Sequence, residues 1–200
     1  MKFRLIVLCS LLISVCFQQC KPKEEKKADS EEVADVRGIW TKEQANDWYA
    51  KQGWLVGCDF VPSTAINQLE MWQAATFDTA TINRELSWAA SLGMNTVRVY
   101  LHDMLYQQDA EGFLQRMDEF LQIASRHHIK PLFVLFDSVW DPYPKLGTQR
   151  EPKPGVHNSG WVQNPGKEAL LDSARYPLLD TYVKAILGKF ATDERVLSWD

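Results

Sequence analysis

Leu92-Gly93-Met94-Asn95-Thr96-Val97-Arg98-Val99-Tyr100-Leu101-His102-Asp103 is the stretch on which the reading of this chain turns. Leu92-Gly93 ends an amphipathic run with a glycine where a helix stops, and residues 95–101 follow as a β-branched and aromatic strand pattern. Arg98 sits in the middle of that strand. A charge there is costly unless carboxylates or a ligand satisfy it, so Arg98 is expected to point at a partner within the fold or into a site.

Outward from this strand the chain alternates helix and strand patterns. Upstream, Thr41 with Gln44 three residues on predicts a capped helix through Lys51, and residues 54–60 predict a first strand. Asp78 then caps a helix whose apolar positions are Ile82, Leu86, Ala89 and Leu92. Downstream, Phe113, Met117, Phe120, Leu121 and Ala124 form one helical face that ends at His127-His128, whose rings are expected to interact with the helix dipole and the last carbonyls. A strand over 131–137 follows; a helix with Leu179, Val183, Ile186, Leu187 and Phe190 on one face precedes a fourth strand beginning at Val196. Apolar strands separated by amphipathic helices predict an α/β fold with a parallel sheet. A doubly wound sheet would carry a glycine-rich phosphate loop after its first strand, and Gly57-Cys58-Asp59-Phe60-Val61-Pro62 has neither G-x-G-x-x-G nor a Walker pattern. A (β/α)8 TIM barrel places its chemistry in the loops after the strand C-termini, and here those loops are the long ones, so the barrel is the expected architecture.

The chain has 200 residues, 46% hydrophobic and 24% charged, with a formal net charge of -4 that argues against a nucleic-acid surface. Its eight tryptophans serve either as core filling or as flat faces for sugar rings. Lys2 and Arg4 precede an apolar run over 5–17 that is too short for a bilayer span and has the layout of a secretory leader. Cys20 resembles the lipid-attachment cysteine of bacterial lipoproteins, with Cys16 as its rival. Lys23-Glu24-Glu25 resembles an acidic signal that routes such proteins to the cell surface. The expected organisation is therefore a lipoprotein signal peptide over 1–20, a core-free tether over 21–36, and a folded part over 37–200, held to the membrane through a lipid anchor only. Cys58 is left alone in the folded part, with no partner for a disulfide, and is expected to be a small buried filler.

Residues 137–175 exceed the usual length of a connection and carry Trp140, Asp141, Tyr143, Arg150, His157, Asn158 and Trp161 among five prolines. Loops of this length and aromatic content are generally functional. Asp59, Glu70, Asp103, Asp137 and Asp141 read as solvated or capping acids rather than as a catalytic pair, while His102 and His157 fall on loops of the active face. No G-x-S-x-G, H-E-x-x-H or paired-cysteine spacing occurs, so neither a metal nor a cofactor is expected.

Gly93-Met94-Asn95-Thr96-Val97-Arg98 resembles the second-strand motif of the large (β/α)8 glycoside hydrolase clan that includes the cellulase family, family 5. Residues 62–72 (PSTAINQLEMW), 136–141 (FDSVWD) and 154–161 (PGVHNSGW) resemble a bacterial cellulase-like subgroup of it. The resemblance implies retaining hydrolysis of a β-linked poly- or oligosaccharide by two carboxylates. It makes Arg98 the residue that orients the nucleophile, and Asn67, Trp72, His102, Asp137, Trp140, Asn158 and Trp161 the substrate-binding set. The family's third strand ends near a histidine where this chain has Asp137-Ser138-Val139-Trp140, so the sugar is not carried over. The acid/base glutamate of the clan follows strand four and the nucleophile ends strand seven. The chain is thus expected to supply about the first four β/α units of a barrel that usually takes ~250 residues, with both glutamates beyond Asp200. A non-catalytic surface glycan-binding lipoprotein that uses the same aromatic loops is the alternative.

Overall fold

A computed structural model describes residues 38–200, in two units, one ending at Gln52 and the other running Gly53–Asp200. The leader, Cys16, Cys20 and the tether lie outside the described residues. In the first unit, helix α1 (Lys42–Gln52) begins with the expected capping box: the Thr41 N–H donates to Gln44 Oε1 (2.8 Å) and the Gln44 N–H to Thr41 Oγ1 (3.2 Å). The Trp40 and Trp48 rings stand 6.0 Å apart beside it.

The second unit is α/β, with a four-stranded parallel sheet in the order β1 (Gly57–Asp59), β2 (Thr96–Tyr100), β3 (Lys130–Val134), β4 (Ser198–Trp199). Its helices are α2 (Gln68–Trp72), α3 (Thr79–Ser91), α4 (Asp103–Gln108), α5 (Ala110–Arg126), α6 (Lys167–Leu171) and α7 (Tyr176–Phe190), with a 3₁₀ turn at Ser173–Arg175. Crossovers between parallel strands are right-handed almost without exception, so a sequential strand order puts the connecting helices on one face of the sheet.

Side-chain alternation along the strands then sorts the two faces. Phe60, Val97, Val99 and Phe133 are buried on the helix side, where Phe120 of α5 centres an aromatic cluster with ring centroids 5.4 Å from Trp72, 6.0 Å from Phe60 and 6.1 Å from Phe133. All five predicted core residues of α5 are fully buried, as are Ile82 and Leu86 of α3. On α7 the fully buried row is Tyr182, Ile186 and Phe190, one residue round from the predicted centre; Leu179, Val183 and Leu187 are half-buried beside it.

Several boundaries differ from the sequence pattern for local reasons. The first strand is three residues rather than seven, because the Asn95 side chain takes the backbone of 54–56 away from the ladder: Nδ2 donates to Trp54 O (2.9 Å) and Oδ1 accepts from Val56 N (2.9 Å). Trp54 is consequently exposed. Cys58 is exposed too, not buried, since β1 has a neighbour on one side only among the described residues. Leu92 falls off the α3 face as the C-cap residue, immediately before Gly93 at φ 85°, a backbone conformation that favours glycine. Among the described residues, no helix is long and apolar enough to cross a membrane.

Candidate active site at the strand ends

The face of the sheet opposite the helices carries the polar cluster. Asp59 is in register with Arg98, Tyr100 lies two residues further along β2, and Asp200 follows β4 two residues after Ser198, so period-two alternation sends all four side chains the same way. Arg98 is the hub. Its Nε and Nη2 both donate to Asp200 Oδ2 (3.0 and 2.5 Å), Nη1 donates to the Tyr100 hydroxyl and lies 3.8 Å from Asp59 Oδ1, and the guanidinium carbon stands 4.9 Å from the Tyr100 ring centroid.

These contacts answer the cost of a charge in a strand. The Arg98 side chain is 40% exposed, so it is never stripped of water, and each of its three nitrogens has a partner. Burial works against its charge, but the hydrogen bond to Asp200 and the neighbouring Tyr100, Asp200 and Asp59 hold its pKa above the ordinary value. Tyr100 donates to Asp59 Oδ1 (3.2 Å), and its phenol is pushed up to about 12, by burial first and the Asp59 charge second.

An aromatic wall continues from Tyr100. Trp161 packs edge-on against Tyr100 (5.3 Å between centroids) and Trp140 against Trp161 (5.6 Å), with His157 6.5 Å beyond Trp140. Trp140 has φ 80°, an unusual backbone for a bulky residue, and its indole N–H donates to Asp137 Oδ2 (3.3 Å). Asp137 is thereby occupied within the loop: Oδ1 also accepts from Val139 N (3.2 Å), and its backbone bridges Asn164. Asp141 pairs with Arg150 (3.3 Å). Arg98, Asp137, Trp140 and Trp161 are thus brought together, with Asn158 near Trp161 in the same loop.

Asn67, Trp72 and His102 require correction as substrate-binding residues. Trp72 is fully buried in the helix-side core, where its indole N–H donates to Tyr100 O (2.9 Å). Asn67, 1% exposed, caps α2 through Glu70 N (3.1 Å) and donates to Gln149 Oε1 and Gly160 O (both 2.9 Å). His102, 0% exposed, caps α4, and its Nε2 donates to Gln163 O (3.1 Å). Buried in this way, none of the three presents a face to a ligand; Asn67 and His102 instead hold the loop that presents the exposed residues, and Trp72 belongs to the core. Next to His102, Asp103 Oδ1 lies 3.0 Å from Nδ1, and Oδ2 accepts from Gln107 (2.7 Å).

The clamp has more members than the sequence indicated. Asn164 Nδ2 donates to Leu101 O (3.0 Å) and Leu135 O (2.7 Å), joining the ends of β2 and β3 to the loop. Gln68 donates to Val162 O (2.8 Å), while Gln73 donates to Gly147 O (3.1 Å) and accepts from Gly147 N (2.5 Å). Their partners are backbone atoms distant in sequence, so no motif announces them. Tyr100 was not singled out from the sequence either, although its position two residues along the strand from Arg98 puts it on the same face.

A cleft of about 530 Å³ between α4, α6, α7 and residues 142–145 shares no residue with the Arg98 cluster or its aromatic wall. The cluster is the better candidate because it combines charge, strand-end placement and aromatic faces. No family model and no curated protein matches the chain.

Proposed function

We propose that the chain is the N-terminal portion of a retaining glycoside hydrolase of (β/α)8 architecture that acts on a β-linked poly- or oligosaccharide. The observation that carries this reading is the placement of the Arg98 guanidinium between the carboxylates of Asp59, which ends β1, and Asp200, which follows β4, beside the wall formed by Tyr100, Trp161 and Trp140. Sequential strand order without a reversal supports a barrel over a doubly wound sheet, whose ligand crevice lies at a reversal. Aromatic faces flanked by Asp137, His157 and Asn158 suit pyranose rings, which offer C–H faces for stacking and a rim of hydroxyls for hydrogen bonds.

In the mechanism the resemblance implies, one carboxylic acid protonates the leaving oxygen while a carboxylate attacks the anomeric carbon, and water then releases the glycosyl-enzyme intermediate. Arg98 serves this by holding carboxylates in place and ionised at the strand ends. Asp59 and Asp200 are already committed to Arg98; the resemblance places the acid/base glutamate after strand four and the nucleophile at the end of strand seven. This mechanism calls for neither metal nor cofactor.

The test is reducing-sugar release by the full-length protein from a panel of β-linked glucans, mannans and xylans. Release from at least one polymer is expected; binding without release would establish the glycan-binding alternative, and neither binding nor release would overturn both. Export and anchoring through Cys20 belong to the same proposal, with the outer membrane or cell surface as the location. A fatty-acid label is expected on the wild type and not on Cys20→Ala; retention in that variant moves the anchor to Cys16, and absence from both removes the lipid.

A further inference from the structure

Asp103 is a buried titratable side chain that the mechanism above does not use. It begins α4 directly after His102 and is 3% exposed. Its two oxygens are placed differently. Oδ2 accepts from Gln107 Nε2 (2.7 Å), whereas Oδ1 finds no hydrogen-bond donor among the described residues and lies 3.0 Å from His102 Nδ1. A carboxylate oxygen buried in this way, without a donor, is costly and rare in folded proteins.

The contacts of the imidazole fix its hydrogens. Nε2 faces Gln163 O (3.1 Å), and a carbonyl only accepts, so Nε2 carries a hydrogen. The Met104 backbone N–H is directed at Nδ1 (3.3 Å) and needs a lone pair there, so Nδ1 is bare. Oδ1 and Nδ1 are then two acceptors in hydrogen-bond contact, with room between them for a proton and for nothing larger. A bridging metal ion would need more ligands, and among the described residues no group of three or more His, Cys, Asp and Glu side chains stands ready to hold one.

The surroundings offer Oδ1 no other partner. From α7 comes Tyr182, whose hydroxyl donates to Leu135 O (3.1 Å). The long loop presents the neutral amides of Gln163 and Asn164, and Asn164 Oδ1 accepts from Asp103 N (3.3 Å). Lys145, Glu168 and Arg175 line the same cleft as Asp103, and Arg175 reaches Glu168 and Asp172 instead (3.9 and 3.6 Å).

We infer that Asp103 is a carboxylic acid in the folded protein, that Oδ1 donates its proton to His102 Nδ1, and that this proton is a pH-sensitive latch on the long loop. The pair stands where β2 ends and the loop is fastened, His102 to Gln163 O and Asp103 to Asn164 Oδ1. Removing the proton would leave a charge facing a lone pair inside the fold. Opening the latch puts both side chains in water, where a free carboxyl is ionised above about pH 4 and a free imidazole keeps a proton only below about pH 6.5. Between these values opening moves the proton from acid to imidazole and releases none. Above them opening releases one proton, so the latch weakens as the pH rises. None of this depends on what the protein binds.

Two measurements on the full-length protein test the latch. In ¹⁵N-histidine-labelled protein, with His102 assigned by its loss in His102→Gln, Nε2 is expected to be protonated and Nδ1 to be a hydrogen-bond acceptor; an imidazolium, or a hydrogen on Nδ1 with none on Nε2, overturns the inference. Asp103→Asn places a permanent N–H donor where the acid proton stands, and its oxygen still accepts from Gln107. Proteolysis within 137–166 is then followed against pH, as the ratio of wild type to Asp103→Asn at each pH, which cancels the protease's own pH dependence. The ratio should be flat below about pH 6.5 and climb above it by up to about tenfold per pH unit, the limit for release of one proton. A ratio that stays flat throughout, or that falls as the pH rises, overturns the latch.

Discussion

Arg98 contributes geometry as well as charge. Nε and Nη2 lie side by side on one edge of the guanidinium and both reach Asp200, while Nη1 is left for Tyr100 and Asp59. Lysine would supply one ammonium and lose that division. On the proposed hydrolase reading, Arg98→Lys in the full-length protein is expected to lower kcat by about 10²-fold or more with the fold retained, on the scale of losing a positioned electrostatic group. Near-wild-type turnover, or a loss that only tracks a fall in Tm and soluble protein, would make Arg98 a structural ion pair. Tyr100 gives a pH signature of the same cluster. Its folded pKa, about 12, stands above the ordinary value of 10.0, so its stabilising contribution is fully present below about pH 10 and lost as the pH rises through about 12. Phenolate absorbance of wild type minus Tyr100→Phe should titrate near 12, and Asp59→Asn should lower that midpoint; a difference midpoint near 10 in the wild type would contradict the packing of the cluster.

On the proposed reading, the element that decides which residues would meet a substrate is the loop after β3. It is held by buried amides rather than by a hydrophobic core of its own: Asn67, Gln68, Gln73 and Asn164 each bond to its backbone or belong to it. Asn164→Ala leaves Leu101 O without that donor and removes one of two from Leu135 O, which keeps the Tyr182 hydroxyl. A lowered Tm, by the equivalent of about 1–3 kcal/mol, and faster proteolysis within 137–166 are expected; unchanged protection of that segment would mean that the loop is held by something else. This division also explains what the sequence disclosed. Helix faces such as Phe113-Met117-Phe120-Leu121-Ala124 were legible because period 3.6 is a local property. Asn67, Trp72 and His102 were misplaced because a residue type on a loop does not say whether its side chain faces solvent or backbone. Only the folded chain puts Asn67 against Gly160 and Trp72 beneath Phe120.

At the scale of the whole molecule, the second unit is one sheet with helices on one face and the Arg98 cluster on the other. The parallel order was legible from the alternation of patterns. The short first and third strands were not, because Asn95 and Asn164 redirect the backbone at their ends through side-chain hydrogen bonds. In the proposed barrel the polar face is the interior and the long loops frame its mouth, so the chemistry assigned to it has a stereochemical consequence. Retention requires two inversions at the anomeric carbon through a covalent intermediate. Proton NMR of the full-length protein acting on a β-linked oligosaccharide, recorded before mutarotation, tests this most directly. The account predicts that the first product anomer is β; first appearance of the α anomer, or no hydrolysis of any β-linked glycan, would contradict it.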